Sequence, residues 1–204
     1  MKKVAIVNYG VGNLLSVARA FEHSGAEVVL VENADELANI SRLVLPGVGA
    51  FGDCVNALRA KGFDQAVLEH VAKERPLMGI CVGMQMLLDA SEEFGQHEGL
   101  GIIPGIVEPI PRFDSVGRRL KVPHIGWSPL ILPEGEDISW KKTPLASIEP
   151  GNAVYFVHSY HAKLFCCEHH LADALCGANR VTAAIRRGVV FGTQFHPVKS
   201  ANIG

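Results

Sequence analysis

The chain lacks the features that mark membrane, secreted and nucleic-acid-binding proteins. Its 204 residues contain no apolar run near the about 20 residues that a membrane-spanning helix needs. Residues 1–8 turn polar too soon for a signal peptide. The formal net charge is −2 and no long basic run occurs, so we expect neither a membrane nor a nucleic acid as partner.

The number of cysteines is odd. The five cysteines follow no secretion signal, which argues against a disulfide framework and favours a reducing, cytoplasmic setting. Hydrophobic residues make up 48% of the chain and charged residues 20%, a composition typical of a globular protein with a sizeable core. This length fits one domain over residues 1–204.

The first half alternates short apolar runs with longer amphipathic stretches. Strands are predicted at residues 4–7, 28–31, 42–45 and 77–80. Helices are predicted at residues 14–24, 53–74 with a break near Gly62, and 84–90. Strands joined by helical crossovers predict an α/β fold with a mostly parallel sheet covered by helices on both faces.

The second half has a different pattern. From Leu100 onward, proline and glycine interrupt short apolar runs, and Gly188 separates two of them, at 181–185 and 189–193. Such a pattern predicts a hairpin. We therefore expect additional antiparallel strands beside the parallel sheet.

Residues 79–83 read G-I-C-V-G, directly after a predicted strand and before a predicted helix. This is the thiol form of a nucleophile elbow, in which a sharp turn lifts the side chain above the sheet. The helix N-terminus would favour the thiolate of Cys81, and the Val82 N–H would face a developing oxyanion. A buried, inert structural cysteine fits the same residues. Cys54, inside a predicted helix, is interpreted as core.

A thiol nucleophile needs a proton acceptor, normally histidine. Residues 191–197 form an apolar strand that ends in His196-Pro197, and the proline restricts the histidine to extended conformations. Sites in parallel-sheet folds gather at the carboxyl ends of strands. His196 is therefore the candidate base for Cys81.

Six segments together carry a family resemblance. They are YGVGN at 9–13, PGVGAFG at 46–52, GICVGMQ at 79–85, PHIGW at 123–127, VHSY at 157–160 and QFHP at 194–197. Over nearly its whole length the sequence resembles the glutaminase subunits of imidazole glycerol phosphate synthase, a branch of the class I glutamine amidotransferases. The resemblance implies glutamine as substrate, a Cys-His-Glu triad and no cofactor.

The third triad position departs from the family pattern. The family continues His-Pro-Glu, whereas this chain reads His196-Pro197-Val198. Valine cannot accept the imidazole proton, and loss of the acid slows a serine-protease triad about 10⁴-fold. Three explanations fit the valine at this position: a slower Cys-His dyad, a subunit without glutaminase activity, or an introduced change. Glu168 and Asp173 could substitute only if the fold brings them near.

The resemblance also assigns residues around the nucleophile. Gly49 belongs to the segment that stabilises the oxyanion, together with Val82. The positions that hold glutamine are matched by Gln85, Glu93, Ser159 and Tyr160. A turn, a solvated helix end and a strand terminus explain these residues equally well without any ligand.

The related subunits dock on a (β/α)₈-barrel cyclase, which consumes the ammonia, and the resemblance implies such a heterodimer here. Asn13 and Trp127 match positions near that interface. Trp127 beside Pro and Gly also fits a core position. A paralogous subunit that supplies another synthase, for example one that modifies a sugar, and a pseudoenzyme that only shapes its partner are the alternatives.

Two further segments depart from the family. Residues 166–170 read C-C-E-H-H, and their spacing does not match common structural zinc sites, so we expect a polar loop or strand edge without metal. The chain stops at residues 200–204, where the family continues into a last helix. Truncation would expose apolar surface near the His196 strand.

Overall fold

The fold is built around a seven-stranded sheet. The computed structural model describes residues 2–135 and 139–203. The strands are β1 (Lys2–Val7), β2 (Ala26–Val31), β3 (Leu43–Gly47), β4 (Leu77–Cys81), β5 (Ala90–Ser91), β6 (His97–Glu98), β7 (Gly105–Pro109), β8 (His124–Pro129), β9 (Ala153–His158), β10 (Tyr160–Leu164), β11 (His170–Cys176), β12 (Asn179–Arg187) and β13 (Val190–Thr193). The helices are α1 (Leu14–His23), α2 (Phe51–Ala60), α3 (Phe63–Ala72) and α4 (Val82–Gln85). Short 3-10 helices lie at Ala34–Asn39, Cys167–His169, Pro197–Lys199 and Ala201–Ile203.

The large sheet has the order β11-β12-β13-β4-β3-β1-β2. Its five strands from β13 to β2 pair in parallel, and β11 and β12 add antiparallel pairs at one edge. Two smaller sheets, β10-β7-β5-β6 and β8-β9, come from the second half of the chain and the stretch just before it. The predicted α/β class, mostly parallel with added antiparallel strands, is therefore confirmed.

Several element predictions hold closely. The helical region after residue 50 divides into α2 and α3 at Gly62, whose φ of +70° lies in the left-handed region that glycine tolerates. The predicted hairpin around Gly188 is formed by β12 and β13. The segment after Phe165 forms a 3-10 turn at Cys167–His169 that leads into β11, as expected of a loop at a strand edge.

The predicted helix over 84–90 is wrong. α4 ends at Gln85, and Ala90 already belongs to β5. The reason is tertiary: the carbonyls of residues 86–88 accept hydrogen bonds from backbone N–H groups of residues 100–103. These carbonyls are therefore committed to a neighbouring loop and cannot continue the helical ladder.

The apolar side chains pack into two clusters. The larger one joins β1, β3 and β4 with α1, α2 and α3, and the smaller one joins β9, β11 and β12 with loop residues such as Leu130 and Trp140. None of the helices in the described part of the chain is long and apolar enough to cross a bilayer.

The turn after β4 packs directly against β3, and only glycine fits there. A Cβ on Gly83 would stand 1.9 Å from the Leu45 carbonyl oxygen, and one on Gly47 would stand 2.6 Å from the Gly83 nitrogen. A Cβ on Gly79 would meet the Gly83 carbonyl oxygen at 2.7 Å. None of the three glycines has a positive φ, so backbone conformation does not require glycine here. Glycine is required because the backbones approach too closely for a Cβ.

We expect Gly83→Ala to lower the free energy of unfolding by about 3 kcal/mol or more, because backbone atoms must move to admit the methyl group. Urea unfolding followed by tryptophan fluorescence measures the loss. Gly188→Ala is the matched control: its Cβ meets no atom within 4 Å, and its φ of +57° should cost about 1 kcal/mol. Equal losses for the two variants would contradict the packing argument.

Candidate active site

One cavity gathers nearly all the residues that the sequence singled out. Its volume is about 300 Å³, the lower end of the range for small-ligand sites. The carboxyl ends of β3 and β4 and the segment after β13 form its floor. Its wall includes Asn13, Gly49, Cys81, Val82, Gln85, Glu93, His158, Ser159, Tyr160, His196, Val198 and Lys199.

Cys81 occupies a strained turn between β4 and α4. Its φ of +56° with ψ of −115° is an uncommon conformation for a residue other than glycine, and strain of this kind concentrates at functional sites. The close approach of Gly47 and Gly83 leaves the backbone no room to relax. The expected nucleophile elbow is therefore present, with the strain on the cysteine itself.

The helix N-terminus acts on the Cys81 thiol in the expected direction, but burial has the larger effect. Burial raises the pKa of the Cys81 thiol to about 12, because the charged sulfur would lose its water. α4 has only four residues, so its dipole is small. Hydrogen bonds from the Val82 N–H and the Gln194 amide lower the pKa, but burial outweighs both.

His196 follows β13 and lies in the wall of the same cavity as Cys81. Its backbone is fixed, because its N–H donates to the Tyr155 carbonyl at 2.9 Å and its carbonyl accepts from the Ser200 hydroxyl at 2.7 Å. Burial, then the nearby Lys199, lowers the pKa of the imidazole. The thiol and the imidazole are therefore both neutral at rest.

No carboxylate supports His196 in the described part of the chain. Val198 lines the cavity and packs against the larger core cluster. The two acids considered as substitutes are engaged elsewhere: Asp173 contacts His170 and Arg180, and Glu168 contacts His169. Neither lines the cavity, so neither takes the place of the acid that Val198 replaces.

Glu93 is the one acidic side chain among the described residues of the cavity wall. Its Oε2 accepts a hydrogen bond of 2.6 Å from the Phe51 N–H, which satisfies one free amide at the start of α2. The Glu93 carboxylate thus links the cavity wall to the N-terminus of α2 through this hydrogen bond.

Gln85 is buried, and its amide nitrogen is already engaged by the protein. It donates to the Tyr160 carbonyl at 3.2 Å and to Gln194 Oε1 at 3.0 Å. The Ser159 carbonyl accepts from the Ile110 N–H at 2.9 Å. Gln85, Ser159 and Tyr160 therefore form a connected part of the wall of the cavity that contains Cys81.

Gly49 lies opposite, after β3, with a φ of +95° that favours glycine. The backbone around it is held from below by two buried side chains. The Tyr9 hydroxyl donates to the Pro46 carbonyl at 2.7 Å, and the Cys54 thiol donates to the Val48 carbonyl at 3.2 Å. Cys54 is in the core, as expected, and it also fixes this segment.

The two predicted interface residues both reach the surface. Asn13 is exposed at the start of α1, where its Oδ1 accepts from the Ser16 N–H at 3.4 Å and caps the helix. Trp127 is 54% exposed on β8, so the core interpretation of this tryptophan is wrong.

The C-C-E-H-H segment does bring possible metal ligands together. The ligand atoms of Cys166, Glu168 and His169 lie within 4.8 Å of one another. Arg186 and Arg187 line a cavity with the last two of these residues, and their positive charge opposes the binding of a cation.

Sequence reasoning missed the roles of Tyr9, His158 and Gln194. Each belongs to a quoted motif, but each acts through a hydrogen bond that the motif does not reveal. Gln194 Nε2 lies 3.7 Å from Cys81 Sγ, and His158 Nδ1 lies 2.8 Å from the Tyr160 carbonyl oxygen. The one sequence feature that could have indicated a role for Gln194 was its position two residues before His196, the candidate base.

Comparison with known proteins identifies the class. The profile of the family described as Glutamine amidotransferase class-I matches residues 5–202, so the chain belongs to the class I glutamine amidotransferases. A solved structure described as a glutamine amidotransferase aligns with a TM-score of 0.69 at 20% identity, over 98% of this chain and 92% of the other. PurLQS from Thermotoga maritima gives the same TM-score at 20% identity, over 97% of this chain and 88% of the other. At this identity the two structures show the shared fold.

Relatives of higher identity narrow the assignment. Imidazole glycerol phosphate synthase subunit HisH 1 of Legionella pneumophila (strain Lens) is 46% identical over 205 aligned residues, which cover 100% of this chain and 95% of the relative. Subunit HisH of Geobacillus sp. (strain WCH70) is 42% identical over 98% of this chain and 92% of the relative. Within its class, the chain therefore belongs to the HisH family of imidazole glycerol phosphate synthase subunits.

The buried His158 makes stability depend on pH. Burial, reinforced by the neighbouring histidines, lowers its pKa to about 3, whereas the unfolded value is about 6.5. Below about pH 6.5 the unfolded state binds the proton more strongly, so stability is lost as the pH falls from there toward 3.

We expect His158→Gln to reduce the loss of unfolding free energy between pH 7.5 and 5 by about 2 kcal/mol, because glutamine does not titrate. Urea unfolding at the two pH values measures this difference. His23→Gln, at an exposed histidine, is the control. A His158→Gln variant with the same pH slope as the parent would contradict the assignment.

Proposed function

We propose that residues 1–204 act as one glutaminase domain that releases ammonia from glutamine at Cys81. The ammonia is used by a barrel cyclase that makes imidazole glycerol phosphate in histidine biosynthesis. The observation that carries the proposal is the shared cavity, whose wall contains both the strained Cys81 and His196. Membership of the HisH family supports the pathway.

In the proposed first step, Cys81 Sγ transfers its proton to His196 and attacks the side-chain amide carbon of glutamine. The Sγ–C bond forms and the carbonyl oxygen becomes an oxyanion, which the backbone N–H groups of Gly49 and Val82 stabilise. When the C–N bond breaks, His196 returns the proton to the departing ammonia.

In the second step, water attacks the thioester while His196 takes its proton. The Sγ–C bond breaks, His196 returns the proton to Sγ, and glutamate leaves with the thiol restored. Both steps use side chains and backbone only, so the proposed reaction needs no cofactor or metal.

The zwitterionic ends of glutamine need partners of opposite charge. Glu93 supplies the carboxylate for the substrate ammonium, since its Oε2 holds the Phe51 amide and leaves Oε1 for the ligand. Gln85, Ser159 and Tyr160 complete the proposed glutamine site from the other side of Cys81.

Val198 makes this a slow glutaminase in the proposed mechanism. A neutral thiol and a neutral imidazole must exchange a proton before attack, and no carboxylate stabilises the imidazolium that forms. In the absence of a triad acid, only the fixed backbone of His196 orients its imidazole.

We expect Val198→Glu to raise kcat for glutamine hydrolysis at least tenfold and up to about 10⁴-fold, the loss that removing the acid causes in a serine-protease triad. Glutamate release, measured with and without the cognate cyclase, is the assay. Val198→Gln introduces a side chain of the same length without the charge and should give a much smaller gain.

Cys81→Ala in the Val198→Glu background checks that the gained activity uses this sulfur, and it should return the rate to the uncatalysed background. Equal kcat values for Val198→Glu and Val198→Gln, with both variants folded, would rule out a missing carboxylate as the defect.

The cyclase is proposed to dock over the β8–β9 strand pair. Trp127 and Ile125 are 54% and 57% exposed, and they pair across the strands with Tyr155 and Val157. Val157 also lines the cavity, as does Asn13. This apolar surface therefore adjoins the site where ammonia is released, and a partner seated there would shield ammonia from bulk water.

We expect Trp127→Ala to raise the Kd for the cognate (β/α)₈-barrel cyclase about 30-fold, the loss typical of a tryptophan anchor. Titration calorimetry measures the affinity. Phe165→Ala removes a similarly exposed aromatic side chain (64%) outside this strand pair and should leave Kd unchanged. Equal effects of the two substitutions would place the interface elsewhere.

The reducing cytoplasm is the proposed compartment. All five cysteines are free thiols, and the nucleophile is one of them. An oxidising compartment would place that sulfur at risk of disulfide formation.

A further inference from the structure

A chain of buried amide hydrogen bonds ends on the reactive sulfur. It begins at the Tyr160 carbonyl, passes through the Gln85 amide to the Gln194 amide, and reaches Cys81 Sγ. Gln85 and Gln194 are both buried. Buried polar chains of this kind are rigid, because an unpaired amide inside the protein costs more than the bond contributes.

The backbone carbonyl of Tyr160 determines which way both amides face. A carbonyl only accepts, so the Gln85 atom at 3.2 Å must be its NH₂ group. The same nitrogen donates to Gln194 at 3.0 Å, so the Gln194 atom that faces it must be oxygen. The remaining Gln194 atom, 3.7 Å from Sγ, is therefore an N–H donor aimed at the sulfur.

A donor at this place favours the thiolate. Cys81 is buried, and among the described residues Gln194 is the one side chain that donates to its sulfur. A sulfur that accepts an N–H gains more from the bond when it carries a negative charge. With no carboxylate at position 198, His196 offers the departing proton a weaker destination, so stabilisation of the thiolate matters more.

We propose that Gln194 is a catalytic residue whose amide stabilises the Cys81 thiolate, and that Gln85 is a positioning residue that aims this amide. The inference rests on the proposed glutaminase function and deepens it. It also gives Gln85 a task besides contact with substrate.

The test is alkylation of Cys81 by iodoacetamide without glutamine or cyclase, followed across pH 6–10 by mass spectrometry of the Cys81 peptide. Gln194→Met keeps the length of the side chain and removes the donor. Its alkylation rate below the thiol pKa should fall about tenfold, the worth of one hydrogen bond to a charged group. Gln85→Met should give a smaller fall in the same direction.

Glutamine hydrolysis by the same variants provides the second readout. Gln194→Met should lower kcat about tenfold with KM unchanged. A rise in KM alone would make Gln194 a substrate-holding residue and overturn the proposal. Gln194→Glu is an isosteric change that places a negative charge near Sγ, and it should slow alkylation more than Gln194→Met. If Gln194→Met does not fold, Gln194→Glu tests the proposal in its place.

Thr193→Val is the matched control, because Thr193 is a buried neighbour whose hydroxyl donates to the Phe195 carbonyl at 3.1 Å. It should lower stability and leave the alkylation profile of Cys81 unchanged. A folded Gln194→Met protein with the parental alkylation profile would overturn the proposal. Alkylation needs no substrate, so that result stays separate from any failure of the glutaminase function.

Discussion

The contact between the backbone of Gly83 and the carbonyl of Leu45 is the constraint on which the site depends. It brings the turn after β4 against β3 so closely that no side chain fits between them. Cys81 then takes up the strain in its own backbone. Because β3, β4 and β13 are parallel, the same edge of the sheet collects the Gly49 segment and His196 around the sulfur.

Burial at that edge sets the electrostatics of the reaction. It raises the pKa of the Cys81 thiol and lowers that of His196, so both groups rest in their neutral forms. A triad acid would offset this by favouring the imidazolium, and Val198 cannot. Directed hydrogen bonds from amides are the remaining means of stabilising charge during the reaction, and they are available only because the surrounding chain holds those amides rigidly.

The sequence predicted the architecture well where local pattern and final structure agree. Glycine at 62 and 188 separates elements as expected, since each has a positive φ. The helix expected over 84–90 failed, because its carbonyls bond to residues 100–103, a partner that no local pattern reveals. The net shift of the Cys81 thiol pKa could not be predicted for a related reason: helix position is visible in the sequence, whereas the depth of burial is a sum over distant segments.

By itself the sequence determined the candidate nucleophile, the candidate base and the defect beside them, because an elbow motif, a His-Pro pair after an apolar run and a valine in place of glutamate are all local facts. It also determined the family through six ordered segments. Only the tertiary structure decided which groups contact the sulfur, where Glu93 and Gln85 direct their polar atoms, and that Asp173 and Glu168 are engaged elsewhere. The physical reason is that hydrogen bonds and burial depend on atoms brought together from residues as far apart as Cys81 and Gln194, and their spacing along the chain does not encode that meeting.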